Sequence, residues 1–72
     1  MRRIEQLTTR EREILAFVAN GYGNKEIACL LNISVFTVQT HMQNLFAELG
    51  VQNRTQAASL YWQYQAQFGK DR

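Results

Sequence analysis

The chain contains one cysteine, Cys29, and one histidine in 72 residues. A single cysteine cannot close a disulfide within the chain, and these two residues cannot supply the ligands of a structural zinc site. A chain this short buries only about 60% of the surface that its unfolded form exposes. The fold must therefore rest on closely packed helices or on a partner chain, and no metal or other cofactor is expected.

The composition is that of a globular protein. Hydrophobic residues make up 46% of the chain, charged residues 19%, and there is no proline, which excludes an intrinsically disordered class. The net charge of +2 is compatible with nucleic-acid binding but is no evidence for it by itself. The apolar runs are too short for a membrane span, and no signal-peptide core follows the N-terminus. We expect a cytoplasmic protein without a membrane partner.

Helix start signals divide the sequence. Thr8 and Glu11 have the spacing of a capping box, and Ser34 and Asn53 are suitable N-cap residues further along the chain. The four predicted helices run from about residue 9 to 20, 24 to 31, 35 to 49 and 54 to 67. Since no strand pattern accompanies them, the sequence predicts an all-α, four-helix domain. An ion pair between Glu11 and Arg54 is expected to link the first helix to the fourth.

The second and third predicted helices lie close together in the sequence. Asn32 is a typical turn residue, and Ser34 starts the next helix. Two helices joined by a turn of about three or four residues form a helix-turn-helix by spacing. The inner face of the first of these two helices is expected to consist of Ile27, Ala28, Leu30 and Leu31.

The third predicted helix has two distinct faces when residues are placed at about 100° intervals. One face is apolar and is expected to be buried, with His41 and Phe46 packed at its flanks; it consists of Val38, Met42, Leu45 and Leu49. The opposite face carries no charge and consists of Phe36, Gln39, Thr40, Gln43, Asn44 and Ala47. The helix contains no lysine or arginine.

The fourth predicted helix has more apolar residues than one buried stripe can hold. One row consists of Ala57, Leu60, Tyr61 and Tyr64. A second row, with Ala58 and Trp62, is rotated from the first. These residues either complete the core or form a seam between two copies of the chain. We favour a homodimer seam that consists of Ala58, Tyr61 and Trp62.

An ordered series of motifs runs through the sequence. It consists of Leu7-Thr8-Thr9-Arg10-Glu11, Asn24-Lys25-Glu26-Ile27-Ala28, Thr37-Val38, His41, Asn44, Leu49-Gly50-Val51 and Arg54-Thr55. In this order the motifs resemble the LuxR-type, or GerE-like, DNA-binding domain over residues 7 to about 62. Region 4 of bacterial sigma factors also begins with a similar L-T-x-R-E segment. It does not usually continue with H-x-x-N and then L-G-V-x-N-R-T, so the LuxR-type resemblance is preferred.

The resemblance implies a bacterial transcription regulator that binds double-stranded operator DNA. In this family the third helix enters the major groove, and the fourth helix often pairs two subunits, which implies a homodimer on an inverted repeat. The positions that commonly touch bases correspond to Gln39, Thr40 and Gln43. The positions that lie near phosphates correspond to Lys25, Thr37 and Asn44.

The third helix departs from the family pattern. The family often has a basic residue at the position of Gln39 and near Gln43, and Glu48 would repel nearby phosphates. An uncharged face is also typical of a solvated helix surface, although glutamine can bond N6 and N7 of adenine and threonine can touch a thymine methyl group. The alternative is therefore a helix-turn-helix adaptor or anti-activator that binds proteins and has only weak affinity for DNA.

No catalytic pattern is present in the sequence. Paired carboxylates, a nucleophile with its base, and a phosphate-binding loop are all missing, so neither an enzyme nor a small-molecule ligand in this chain is expected. We expect residues 1–72 to form one domain. The N-terminal methionine fits either a complete protein or the output end of a longer regulator.

Overall fold

The computed structural model describes residues 3–69, and its regular elements are all helical. They are a 3-10 turn (Ile4–Gln6), α1 (Thr9–Ala19), α2 (Asn24–Leu31), α3 (Val35–Leu49), α4 (Arg54–Tyr64) and a π-helical turn (Gln65–Gly69). The predicted all-α class and the four helices are confirmed. The fourth α-helix was expected to reach residue 67, but it ends at Tyr64 and the chain continues as the π-helical turn. No helix in the described range is both long and apolar enough to cross a membrane.

The helices begin at the predicted caps. Thr8 Oγ1 accepts from the Glu11 amide at 3.1 Å, and Glu11 Oε1 accepts from the Thr8 amide at 3.0 Å. Ser34 Oγ accepts from the third amide of α3 at 3.0 Å, and Asn53 Oδ1 accepts from the third amide of α4 at 2.9 Å. These side chains satisfy backbone donors that a helix leaves free at its N-terminus.

Left-handed residues end the helices. Asn32 has φ 58° and ends α2, and Gly50 has φ 73° and ends α3. Gly21, with φ 90°, directly follows Asn20, the C-cap residue of α1. Glycine and asparagine are the residues that adopt this conformation at least cost. The left-handed Asn32 reverses the chain between α2 and α3 within three residues, which gives the helix-turn-helix its predicted short turn.

One core joins all four α-helices. α1 packs against α3 and α4, and α2 packs against α3. The buried apolar residues are Ile4, Leu7, Ile14, Leu15, Val18, Ile27, Ala28, Val38, Met42, Leu45, Leu49 and Ala57. The predicted inner face of α3 is confirmed in full. The 3-10 turn was not predicted, and it contributes Ile4 to the core.

Two sequence-based expectations were wrong. Leu30 was placed on the inner face of α2 but is 56% exposed; the short helix turns Ile27 and Ala28 inward, and Leu30 lies outside that arc. The ion pair between Glu11 and Arg54 does not form. The Glu11 carboxylate is committed to the α1 cap, and the Arg54 guanidinium donates to the Tyr22 carbonyl instead.

The α1 cap gives a stability prediction. Thr8→Ala is expected to lower the free energy of unfolding by about 0.5–2 kcal/mol, because the Glu11 amide loses its side-chain acceptor. Thr8→Ser keeps the hydroxyl, and its free energy of unfolding is expected to remain close to that of the parent chain. Urea unfolding followed by far-ultraviolet circular dichroism measures both variants. An equal loss in the two variants would mean that the threonine methyl group, and not the cap, provides the stabilisation.

Candidate nucleic-acid interface

The face of α3 opposite the core is fully open to solvent. All six residues of the predicted uncharged face are exposed, namely Phe36, Gln39, Thr40, Gln43, Asn44 and Ala47. The centre of this face is a line of residues at helical spacing, which we call the α3 stripe: Phe36, Thr40, Gln43 and Ala47. Glu48 is half-buried at the edge, so its position is not on the stripe.

Gln39 and Gln43 have free side-chain amides. Neither forms a hydrogen bond with any residue between 3 and 69, and both are exposed. They line the same shallow groove of about 440 Å³, together with Asn24 of α2. A free amide with one donor and one acceptor directed outward is what bidentate contact with adenine requires.

Thr40 differs from the two glutamines because its hydroxyl hydrogen is already engaged. Thr40 Oγ1 donates to the Phe36 carbonyl at 3.1 Å, one helical turn earlier. This internal bond is common for threonine within helices. The side chain can still offer its oxygen as an acceptor and its methyl group as an apolar contact.

Lys25 and Gln39 line the same groove although the two residues belong to different helices. Lys25 is the second residue of α2 and is exposed. It lines a groove of about 840 Å³ that also includes Gln39 and Arg54. At the start of the same helix, Glu26 Oε1 accepts from the Gly23 amide at 2.7 Å. The structure therefore brings one predicted phosphate-contacting residue into the same groove as one predicted base-contacting residue.

Thr37 and Asn44 lie on the other flank of α3. The Thr37 hydroxyl is 2.9 Å from Ser34 Oγ and its residue is half-buried, so part of its hydrogen-bonding capacity is used within the cap. Asn44 is exposed, and its side chain bonds to no other residue in the described range. The three predicted phosphate-contacting residues thus border the α3 stripe on both sides, with Lys25 on one flank and this pair on the other.

Arg54 holds the segment that leads into α2. Its guanidinium donates to the Tyr22 carbonyl at 3.1 Å and also bonds to Asn24 Oδ1. The Tyr22 ring in turn packs edge-on against the Phe17 ring, with the two ring centroids 5.1 Å apart. Sequence reasoning missed this role. The available signal was a cation at the first position of α4, where the helix dipole disfavours positive charge unless a partner compensates.

Most cations of the described residues are already engaged. Arg3 pairs with Glu5 at 3.3 Å, and Arg10 pairs with Glu13 at 3.7 Å. Arg54 is tied to the segment before α2. Within residues 3–69, this leaves Arg12 and Lys25 as basic side chains without a bond to another described residue.

The predicted dimer residues on α4 differ in exposure. Trp62 is 48% exposed, although its Nε1 donates to the Ala19 carbonyl at 3.3 Å. Tyr61 and Ala58 are half-buried; the Tyr61 ring packs against the core, and its hydroxyl accepts from Gln65 Nε2 at 2.7 Å. The outermost line of α4, which we call the α4 stripe, consists of Thr55, Ser59 and Trp62. Sequence reasoning assigned no role to Thr55 and Ser59.

The structure offers little for other chemistry. No three His, Cys, Asp or Glu side chains between residues 3 and 69 come together to hold a metal ion. Cys29 is an exposed free thiol. The notable feature outside the predicted site residues is Phe36, which is 75% exposed at the start of the α3 stripe.

Comparison with known proteins gives a family. The GerE family, described as bacterial regulatory proteins of the luxR family, matches residues 5–61. The response regulator protein VraR is 48% identical over 60 residues in Staphylococcus aureus, Staphylococcus saprophyticus and Staphylococcus epidermidis. In each case the match covers 83% of this chain and 29% of the relative, so the chain spans less than a third of those proteins.

The chain therefore belongs to the luxR family of bacterial regulatory proteins. It is a LuxR-type DNA-binding domain of a transcription regulator and not an enzyme. The family assignment and the helix-turn-helix resemblance derived from the sequence are confirmed.

Proposed function

We propose that the chain binds operator DNA by inserting α3 into the major groove, with residues 1–72 acting as one DNA-binding domain. One observation carries this proposal. The exposed face of α3 presents the amides of Gln39 and Gln43, which form no bond with any other described residue. With Thr40 between them, these side chains are the proposed base contacts. Glutamine can form two hydrogen bonds with adenine, and the threonine methyl group can contact the methyl group of thymine.

Phosphate contacts are proposed on both flanks of the same face. Lys25 lies at the N-terminus of α2, where backbone amides and the helix dipole also favour an anion. Thr37 and Asn44 are uncharged, so they would bond to phosphate oxygens without adding Coulomb attraction. Such contacts fix the register of a protein on the duplex, while base contacts supply specificity.

Two copies of the chain are proposed to pair through α4 on an inverted repeat. The proposed interface consists of Ala58, Tyr61 and Trp62, with the half-exposed Trp62 at its centre. Thr55 and Ser59 are small residues on the same side of α4, and they would allow a second helix to approach the indole closely. An interface of this size would be weak without DNA.

A second candidate function is a protein-interaction adaptor or anti-activator with weak DNA binding. The observation that favours it is the neutral α3, which has no lysine or arginine, together with the ion pairs that engage Arg3 and Arg10. Selecting duplexes from a random pool with the purified chain tests both functions. Recovery of a defined site supports the regulator, and failure to enrich any sequence supports the adaptor.

The proposed contacts predict different effects for two substitutions. Gln43→Ala is expected to cost about 1–3 kcal/mol on the selected site and to relax preference at one base pair. Lys25→Ala is expected to weaken binding to every duplex alike, because a phosphate contact carries no sequence information. Titrations on matched and scrambled duplexes measure both. Gln63→Ala, an exposed glutamine on α4, is the control. Equal losses on all duplexes for Gln43→Ala would remove Gln43 from the base-contacting set.

The proposed dimer predicts an inverted repeat with half-sites about 10 bp apart or a multiple of that. Ser59→Arg is expected to abolish cooperative binding to the repeat, because two like charges would meet across the seam. The added charge cannot weaken binding by repelling DNA, and Ser59→Ala is the neutral control. Binding to whole and half sites measures the effect. Unchanged cooperativity in Ser59→Arg, with circular dichroism confirming the fold, would rule out this interface.

The scarcity of unpaired cations predicts a shallow salt dependence. Each phosphate neutralised contributes a slope of about −0.9 in log affinity against log salt. Arg12 and Lys25 are available among the described residues, while Arg2, Lys70 and Arg72 lie outside them. We expect a slope of about −2 to −4 per chain and weak binding to random DNA.

Titration of a selected and a random duplex between low and moderate salt measures this slope. A steeper slope would mean that paired arginines such as Arg10 exchange their carboxylates for phosphates. Failure of the folded chain to bind any duplex at low salt would contradict DNA binding and favour the adaptor.

A further inference from the structure

We propose that Phe36 is a specificity residue that recognises the 5-methyl group of a thymine in the major groove. The inference rests on the proposed function, since it requires α3 to lie against base edges. It adds an apolar contact to the amide and hydroxyl contacts proposed above.

Phe36 is more exposed than the other exposed large apolar residues of the described range. It is 75% exposed, compared with 38% for Tyr22, 56% for Leu30 and 48% for Trp62. Tyr22 packs on a neighbouring ring and Trp62 bonds to α1. Phe36 is not among the residues packed against the core. The ring therefore contributes little to the stability of the fold. Its removal from water on contact with a partner would contribute to the free energy of binding.

The backbone holds Phe36 in a fixed position despite this exposure. It is the second residue of α3, directly after the Ser34 cap, whose Oγ accepts from the Thr37 amide at 3.0 Å. The Phe36 carbonyl accepts from Thr40 Oγ1 at 3.1 Å. A rigid first turn presents the ring without the entropic cost of ordering a loop.

Phe36 is aligned with the proposed base contacts. It starts the α3 stripe, and Thr40 and Gln43 follow it at spacings of four and seven residues. Seven residues of α-helix rise by about 10.5 Å, which equals about three base steps of 3.4 Å. Phe36 would therefore contact a base within about three steps of the one that Gln43 contacts.

The chemistry around Phe36 favours DNA over an apolar protein surface. Its neighbours along the exposed face of α3 are Gln39, Thr40 and Gln43, so on this helix the ring is followed by polar side chains. In the major groove, the thymine methyl group is the apolar element of the base edges, and phenylalanine is one of the side chains that contact it.

The test replaces thymine by deoxyuridine, one position at a time, in a duplex selected by the purified chain. The two bases differ only in the 5-methyl group, so hydrogen bonding is unchanged. The parent chain is expected to lose about three- to fivefold in affinity at one position, as burial of one methyl group predicts. Phe36→Ala is expected to bind the thymine and uracil duplexes equally at that position, and Phe36→Leu to retain part of the difference.

Two further variants separate the contribution of Phe36 from the contributions of other apolar groups on the surface. Thr40→Ser removes the methyl group of Thr40, which no other proposed base-contacting side chain has, and it is expected to keep the discrimination at the Phe36 position. Leu30→Ala removes an exposed apolar side chain on α2, and it is expected to leave the discrimination between thymine and uracil unchanged.

The outcomes distinguish this inference from the proposed function. A parent chain that prefers its selected duplex but tolerates uracil everywhere overturns the role of Phe36 and leaves DNA binding intact. Full discrimination in Phe36→Ala that disappears in Thr40→Ser would transfer the methyl contact to Thr40. Absence of binding to any duplex would overturn both proposals together.

Discussion

Burial of one face of α3 determines what the opposite face can present. Val38 and Leu45 are completely buried, and α1 and α2 pack against α3. Because successive residues of an α-helix are separated by about 100°, fixing these two residues also fixes the direction of Phe36, Thr40 and Gln43. The proposed readout of DNA needs side chains held in a defined register, and the hydrophobic core would supply that register.

Sequence periodicity predicted this arrangement well because it is local. The caps at Thr8 and Ser34 and the two faces of α3 depend on residues within one or two helical turns. The errors occurred where the answer depends on distant residues. Arg54 finds its partners at Tyr22 and Asn24, which are 32 and 30 residues away, and no local pattern identifies them. Leu30 belongs to a helix of eight residues, which is too short for a periodic pattern to define its buried arc.

The family resemblance supplies the candidate site residues but not their arrangement. The family resemblance points to Lys25 and Gln39 separately, whereas only the fold shows that they line one groove. The resemblance also could not reveal that the Thr40 hydroxyl donates a hydrogen bond to the Phe36 carbonyl. Phe36 was assigned to the correct face by periodicity. Its exposure of 75%, which motivates its proposed role, depends on how neighbouring helices leave the start of α3 uncovered.

A neutral recognition helix changes how specificity would arise. Affinity from phosphate contacts is shared by every sequence, and residues 3–69 hold few unpaired cations, so the proposal implies a low background on random DNA. On the proposed mode of binding, discrimination then comes from the amides of Gln39 and Gln43 and from apolar contact at Phe36. A few contacts of about 1–3 kcal/mol each are insufficient for one domain to select a genomic site. Pairing through Trp62 would let two sets of contacts act together through a high effective concentration. On this proposal the neutral α3 and the exposed indole on α4 fit together, because weak binding by a single domain would make a dimer necessary for selectivity.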